Sequence, residues 1–319
     1  MNTFYNTYYK IYNNKTKNDF RISVLSDLHF NDKTLDSKLQ MILNKLDKDK
    51  PNYILFPGDL LDSSDVINNL KDKRRLLLFL KRMSNIAPVI ISLGSHDYTV
   101  KGIFFNETGT MLKEIYPEEL FNEVSNIKNV DILNNESIVD NQLYIVGYTG
   151  SFYYYNPITS NKLNIFSKRL EDRNLMLKEI KELKQKIGQI PKDKINLLMA
   201  HSPVYLKDLL ITNELTEFDY FISGHMHNGL VPPVINELFN TSRGLASPNR
   251  TLFPKNVRNT LRINNDKLIV NGQLTTFHEN HGIFSKLNFI YPSYMTTIDF
   301  TNDLEYDTKK IYTKRYYDK

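Results

Sequence analysis

Cysteine is absent from the 319 residues. Disulfides and thiolate metal sites are thereby excluded, and a reducing compartment fits. No run approaches the roughly 18 apolar residues that cross a bilayer. The opening Met1-Asn-Thr-Phe-Tyr5 lacks the cationic start and apolar stretch of a secretory leader. The expected setting is cytoplasmic, with peripheral contact at a membrane surface left open. An internal repeat, a low-complexity linker and a glycine-rich phosphate loop of the nucleotide-binding kinds are missing too. What is present suffices for a packed core: 41% hydrophobic residues, with 18 Phe and 20 Tyr. The net charge of +5 favours anionic partners only weakly, because the excess is small and spread out. Its densest cluster closes the sequence, Lys309-Lys-Ile-Tyr-Thr-Lys-Arg-Tyr-Tyr-Asp-Lys319. Cations interleaved with tyrosine suit nucleic acid or an anionic membrane, and a solvated tail explains them as simply.

Residues 1–20, rich in Asn, Tyr and Lys, read as a loosely held polar arm. Ile22–Ser26 reads as a strand that ends in Asp27-Leu-His29. Leu35, Leu39, Ile42, Leu43 and Leu46 follow helical spacing up to the stop at Pro51. Tyr53–Phe56 is a second strand, ending in Gly58-Asp59; Asp65 is a plausible cap for a helix from Leu70 to Met83. Val89–Leu93 is a third strand, ending in Gly94-Ser-His-Asp97. Strand, helix, strand, helix, strand implies parallel pairing through right-handed crossovers. Each strand delivers acid or imidazole groups at its carboxyl end, where open α/β sheets bind ligands.

Residues 98–140 read as a partly helical insertion, and 150–192 as a second one carrying an amphipathic helix over 164–187. Between them Gln142–Gly147 is a strand running into the aromatic cluster Tyr148–Tyr155, suited to a pocket wall or to loop packing. Ile195–Ala200 is a strand ending in His201-Ser-Pro203, and Tyr220–Ile222 is a short buried strand ending in Gly224-His-Met-His227. Leu268–Val270 and Met295–Phe300 close the series. The main domain is expected over 21–303, followed by a basic, aromatic tail over 304–319.

Five of the seven histidines therefore stand at strand ends, beside Asp27 and Asp59, which follow the first two strands. Imidazole with carboxylate and no thiolate suits borderline divalent ions such as Mn, Fe, Co, Ni or Zn. The ligands are too many for one ion, so two are expected. Asp62 suits a supporting or helix-starting role better than ligation. His278 and His281 come late, in what reads as a surface loop; Arg243 and Arg250 could meet an anionic substrate.

Taken in order, Asp27-x-His29, Gly58-Asp59, Gly94-Ser-His96-Asp97, His201 and Gly224-His225-x-His227 resemble the five blocks of the calcineurin-like metallophosphoesterase superfamily. The blocks span residues 22–228. The resemblance implies an α/β (α+β) fold, a four-layer αββα sandwich of two mixed β-sheets flanked by helices, with the site on their shared edge. It implies two divalent metal ions, Mn2+ first among them. Asp27, His29 and His227 would hold the first ion, Asp59 would bridge, and His201 and His225 would hold the second. His96 would contact the phosphate or protonate the leaving group, with Asp97 orienting its ring. The implied reaction is hydrolysis of a phosphomonoester, phosphodiester or pyrophosphate by a metal-bridging hydroxide. The substrate would be a small phosphorylated molecule or, as in a bacterial, membrane-proximal branch that the sequence resembles more faintly, a lipid-linked one. The apolar stretches Leu230–Phe239 and Phe284–Tyr291 could form a lip for such a substrate, or simply pack the core.

One position departs from the family pattern. Its third block normally carries Asn where this sequence has Ser95, and that Asn ligates the second ion through its carbonyl. A hydroxyl is shorter and a poorer neutral donor, so Ser95 is expected to weaken the second site rather than abolish it. The rival readings are a non-catalytic protein that binds a phosphate ligand, and a nuclease.

Overall fold

The computed structural model describes residues 3–64, 68–98, 116–150, 165–203, 214–231, 244–246, 254, 257, 259–263, 266–275, 293–306 and 309–317. Its first half alternates strand and helix: β1 (Thr3–Tyr12), β2 (Phe20–Val24), α1 (Asp36–Asp49), β3 (Tyr53–Pro57), α2 (Leu70–Ser84) and β4 (Val89–Ser92). Next come α3 (Glu118–Ser125), β5 (Val130–Leu133), β6 (Glu136–Val139), β7 (Leu143–Tyr148), α4 (Ile165–Ile187), β8 (Ile195–Ala200) and β9 (Tyr220–Ser223). The chain closes with β10 (Asn259–Ile263), β11 (Asp266–Val270), β12 (Ser293–Thr301) and β13 (Lys309–Tyr317).

The strands form two mixed sheets, ordered β13-β1-β12-β2-β3-β4-β5 and β10-β11-β9-β8-β7-β6. As the strand–helix alternation requires, β2, β3 and β4 are parallel neighbours, and β5 extends the series. In the second sheet β7, β8, β9 and β11 are parallel, with antiparallel β6 and β10 at its edges. Side chains alternate between the faces of each strand, which gives three apolar layers. Ile22, Val24, Leu55 and Ile90 meet Ile145, Leu197, Met199 and Ile222 between the sheets. Ile54, Phe56 and Ile91 face the other way, against Leu46 of α1, Leu80 of α2 and Leu120 of α3. Val146, Leu198 and Phe221 pack under Met176, Ile180 and Leu183 of α4. The result is the expected four-layer αββα sandwich.

The two ends of the sequence depart from expectation. The polar arm is β1, an interior strand, parallel to β12 and antiparallel to β13. Tyr9 and Ile11 fill the layer between the sheets, worth about 2 kcal/mol each. On the opposite face Asn6 donates to Asp49 Oδ2 (3.1 Å) and Thr297 Oγ1 (2.9 Å). The buried Lys45 ammonium pairs with the same Asp49 and donates to the Tyr8 hydroxyl at 3.0 Å. These polar side chains, which made the segment look loose, satisfy one another in the interior. The expected tail includes β13, whose backbone completes the sheet edge. Within 98–140 the helix α3 is present, but β5 and β6 are strands, one in each sheet. The second helix starts at Leu70 under Asn69, whose side chain accepts the Lys71 N–H at 3.0 Å; Asp65 lies outside the described residues. So do Ser151–Tyr155, Arg243, Arg250, His278, His281, Phe284–Tyr291 and most of Leu230–Phe239. No helix among the described residues is long and apolar enough to cross a membrane.

Candidate metal centre

Five strands, β2, β3 and β4 of one sheet and β8 and β9 of the other, end at one edge of the sandwich. The described residues just past β2 keep their backbone groups paired. Past β2, the N–H groups of Asp27, His29 and Phe30 donate to the carbonyls of Gly58, Asp59 and Leu60, at 3.2, 3.2 and 2.9 Å. The β2–β3 pairing thus continues as an irregular ladder, as buried backbone requires. Its side chains are presented by a left-handed backbone: φ is 55° at Asp27, 48° at His29, 53° at Asp59, 65° at His225 and 44° at His227. Each costs on the order of 1 kcal/mol for a side chain other than glycine. Strain gathered at five polar residues on one edge is the mark of a site held for chemistry.

The ligand atoms fall into overlapping groups, each within 4.8 Å: Asp27, His29 and His227; Asp59, His201 and His225; and His29, Asp62 and His96. All but His96 are buried. In the first group His29 Nε2 lies 3.4 Å from His227 Nε2, and Asp27 Oδ1 lies 3.3 Å from His227 Nε2. Two donors about 2.1 Å from one tetrahedral ion stand about 3.4 Å apart, so these separations fit a shared cation. In the second group His201 Nε2 is 2.8 Å from Asp59 Oδ2, which is also 3.9 Å from His29 Nε2. Asp59 Oδ2 therefore lies between the two groups, while Oδ1 accepts the His96 backbone N–H at 2.9 Å. His201 Nδ1 donates to the Pro57 carbonyl at 2.8 Å, since a carbonyl can only accept. That bond fixes the ring with Nε2 toward Asp59. Imidazole and carboxylate donors at these spacings fit divalent ions of the borderline class.

The closeness of the loops depends on small residues. A Cβ on Gly94 would stand 2.2 Å from Asp59 Oδ1 and 2.4 Å from the Asp59 backbone N. One on Gly224 would stand 2.6 Å from Asp27 Oδ2. No side chain fits at either position without moving a carboxylate.

Electrostatics follow from this crowding. Burial pushes the Asp59 carboxyl up, but His201, His96 and His29 around it win and hold it well below the usual range. Asp27 is likewise lowered against its burial, by His227 and His201. Burial disfavours the His201 cation, yet Asp59 and Asp27 push its pKa up to about 9. Asp97 goes to about 7, raised by burial and the Asp59 charge against the Gly94 and Leu61 N–H groups.

Asp27, His29, Asp59, His201, His225 and His227 are thus brought together as expected from the strand ends. Ser95 is buried between Gly94 and His96, both of which touch Asp59. His96 reaches the cluster with its ring 4.6 Å from that of His29. Asp97 does not hold that ring. Its carboxylate accepts the backbone N–H groups of Asp59 (2.9 Å), Leu61 (2.9 Å) and Gly94 (2.8 Å), tying the β3 and β4 loops together. The ring is held instead by the Asp62 carbonyl, 2.8 Å from His96 Nδ1. Of the two roles expected for Asp62, supporting the site or starting a helix, its carbonyl takes the first by holding the His96 ring. Its spacing from Asp59, three residues on in the same loop, was the available signal. No motif pointed to Asn271–Thr275, which follow β11 and hydrogen-bond the Asp27 loop.

Imidazoles and carboxylates from both sheets, gathered at one edge of an αββα sandwich, define a class of metal-binding hydrolase folds. The sequence pattern of the calcineurin-like phosphoesterases matches residues 20–229, and the chain belongs to that family. A curated relative, an uncharacterized metallophosphoesterase of Campylobacter jejuni, is 24% identical over 217 residues. The alignment covers 68% of this chain but 46% of that protein, so the chain spans about half of its relative's length. Among solved structures, a dimetal phosphatase from Danio rerio is 10% identical with a TM-score of 0.38, covering 80% of this chain and 87% of that one. GAP50, the anchor in the inner membrane complex of Plasmodium, is 12% identical with a TM-score of 0.38, covering 80% and 71%.

Proposed function

We propose that the protein is a phosphoesterase working with two divalent ions, Mn2+ first among the candidates. The observation that carries the reading is the pair of three-residue ligand groups with Asp59 Oδ2 between them. Asp27, His29 and His227 would hold one ion and Asp59, His201 and His225 the other, with Ser95 beside the second. Two such ions supply an activated water and a clamp on the phosphoryl oxygens. The chain's own contribution is position. Asp59 is fixed by the His96 amide, so one carboxylate oxygen is committed to structure and the other to the two groups. His96 is held through Nδ1 by Asp62, which commits Nε2 as the atom to meet a phosphate oxygen or the leaving group. Phosphomonoesters, phosphodiesters and pyrophosphates are the substrate classes this arrangement serves.

Ser95 favours a second reading, a phosphate-binding protein whose second ion is too weakly held for turnover. Hydrolysis of mono- and bis-p-nitrophenyl phosphate by metal-stripped protein, titrated with Mn2+ and then other divalent ions, separates the two. The proposed function requires ion-dependent turnover that Asp59→Asn abolishes. Ion binding with no turnover on either ester would leave the binding protein.

A further inference from the structure

The loop that carries Asp27 and His29 has two sides. Its N–H groups face the β3 loop. Its carbonyls face the segment after β11, which lies beyond the residues that the family pattern matches. Leu274 N–H donates to the Ser26 carbonyl and Thr275 N–H to the Asp27 carbonyl, both at 2.9 Å. The Thr275 hydroxyl donates to the Leu28 carbonyl at 2.7 Å. Three consecutive carbonyls around a left-handed turn are thus capped by two adjacent residues. The Thr275 hydroxyl in turn accepts from the Lys38 ammonium of α1 at 2.6 Å. A cation donating into a hydroxyl polarises it and strengthens the bond it donates onward. Thr275 is buried, at 5% exposure.

We infer that Thr275 is a positioning residue for the first ligand group, with Lys38 behind it. Resting on the reading of the two groups as ion sites, the inference adds that site one is set from outside the family pattern. The backbone around Asp27 and His29 is strained, so it relaxes unless both its sides are held. Thr275 holds the carbonyl side. The second group, built on Asp59, His201 and His225, has supports of its own in Asp97 and Pro57. It meets the Asp27 loop through the His225 N–H, which donates to the Asp27 carboxylate at 3.1 Å, and through the Asp59 carbonyl, which accepts from His29.

The test measures Mn2+ binding to full-length, metal-stripped protein, counting bound ions at equilibrium and reading free Mn2+ by its electron paramagnetic resonance. Thr275→Val is placed in two backgrounds, His225→Ala, which leaves the first group, and His227→Ala, which leaves the second. Loss of such a supporting hydrogen bond typically weakens an ion site about tenfold. The expected result is about tenfold weaker binding in the His225→Ala background and less than about twofold in the other. Thr275→Ser, which keeps the hydroxyl, restores binding. Should Thr275→Val not fold, Lys38→Met carries the same comparison with a smaller drop. Equal weakening in both backgrounds, or none in either, would overturn the assignment. A wild-type protein that binds no divalent ion would overturn the metal reading beneath it as well.

Discussion

Replacing Gly94 by alanine tests the claim that the β3 and β4 loops are packed to the limit around Asp59. The added Cβ would stand 2.2 Å from Asp59 Oδ1 and 2.4 Å from Asp59 N. An ordinary contact of this kind lies at about 3.4 Å or beyond, so the loops must part by roughly 1 Å. Because one clashing atom is backbone, no rotamer change relieves it. Overpacking of this kind costs about 1–3 kcal/mol of stability. The larger effect falls on chemistry, since a displacement of about 1 Å at a reacting centre costs on the order of a hundredfold in rate. Gly188→Ala supplies the contrast: φ there is +69° and nothing lies within 4 Å of the added Cβ. It costs about 1 kcal/mol of backbone strain and leaves the site alone. The assays are thermal melting and Mn2+-dependent hydrolysis of p-nitrophenyl esters for wild type and both variants. Wild-type turnover and ion affinity in Gly94→Ala would refute the packing argument, whatever happened to the melting temperature.

Three further outcomes follow from buried charge. With His201 pushed up to about 9, the metal-free protein carries a proton there at neutral pH. Ion binding must then expel about one proton, and apparent affinity should rise about tenfold per pH unit up to about pH 9. Calorimetry in buffers of different ionisation enthalpy reads that proton, and identical heats would refute it. The stability of the metal-free protein carries the matching sign. The His201 pKa is raised above its unfolded 6.5, so its contribution is complete below about pH 6.5 and is lost as pH rises through about 9. At the other end of α1, Lys45→Met leaves the Asp49 carboxylate buried without its cation. Breaking such a pair costs about 3 kcal/mol. A denaturant midpoint within error of wild type would show that Asn6, Tyr8 and Thr297 carry the carboxylate unaided.

The gathering of the site's side chains was more legible than the two ends of the fold around them. Asp27, His29, Asp59, His96, His201, His225 and His227 each follow a short apolar strand, and the carboxyl ends of parallel strands converge whatever the loops do. Convergence at a sheet edge is a local rule applied five times. The strand β1 obeys no local rule of that kind. Tyr9 and Ile11 do alternate inward, but Asn6 between aromatic residues looks solvated until Asp49 and Thr297 meet it from 43 and 291 residues away. Its parallel partner β12 is equally remote. Asp97 was misassigned for a related reason. The family resemblance implied that it orients the His96 ring, but the turn through Ser95–Tyr98 sends successive side chains in different directions. Its carboxylate goes to the backbone of the neighbouring loop, and the carbonyl of Asp62 takes the ring.

The two groups proposed to hold ions each draw on both sheets. Asp27, His29 and Asp59 leave the first, and His201, His225 and His227 leave the second. A divalent ion in either group would therefore be a rivet through two layers, added to hydrogen bonds that already cross this edge, such as His201 Nδ1 to the Pro57 carbonyl and the His225 N–H to the Asp27 carboxylate. Sliding one sheet against the other would separate Asp27 from His227 and Asp59 from His201 together, so if both groups hold ions as proposed, such a motion would loosen both at once. Metal content then doubles as a gauge of how the layers are aligned. Changes far from the edge that shift one sheet should announce themselves first as lost ions, before any strand unravels.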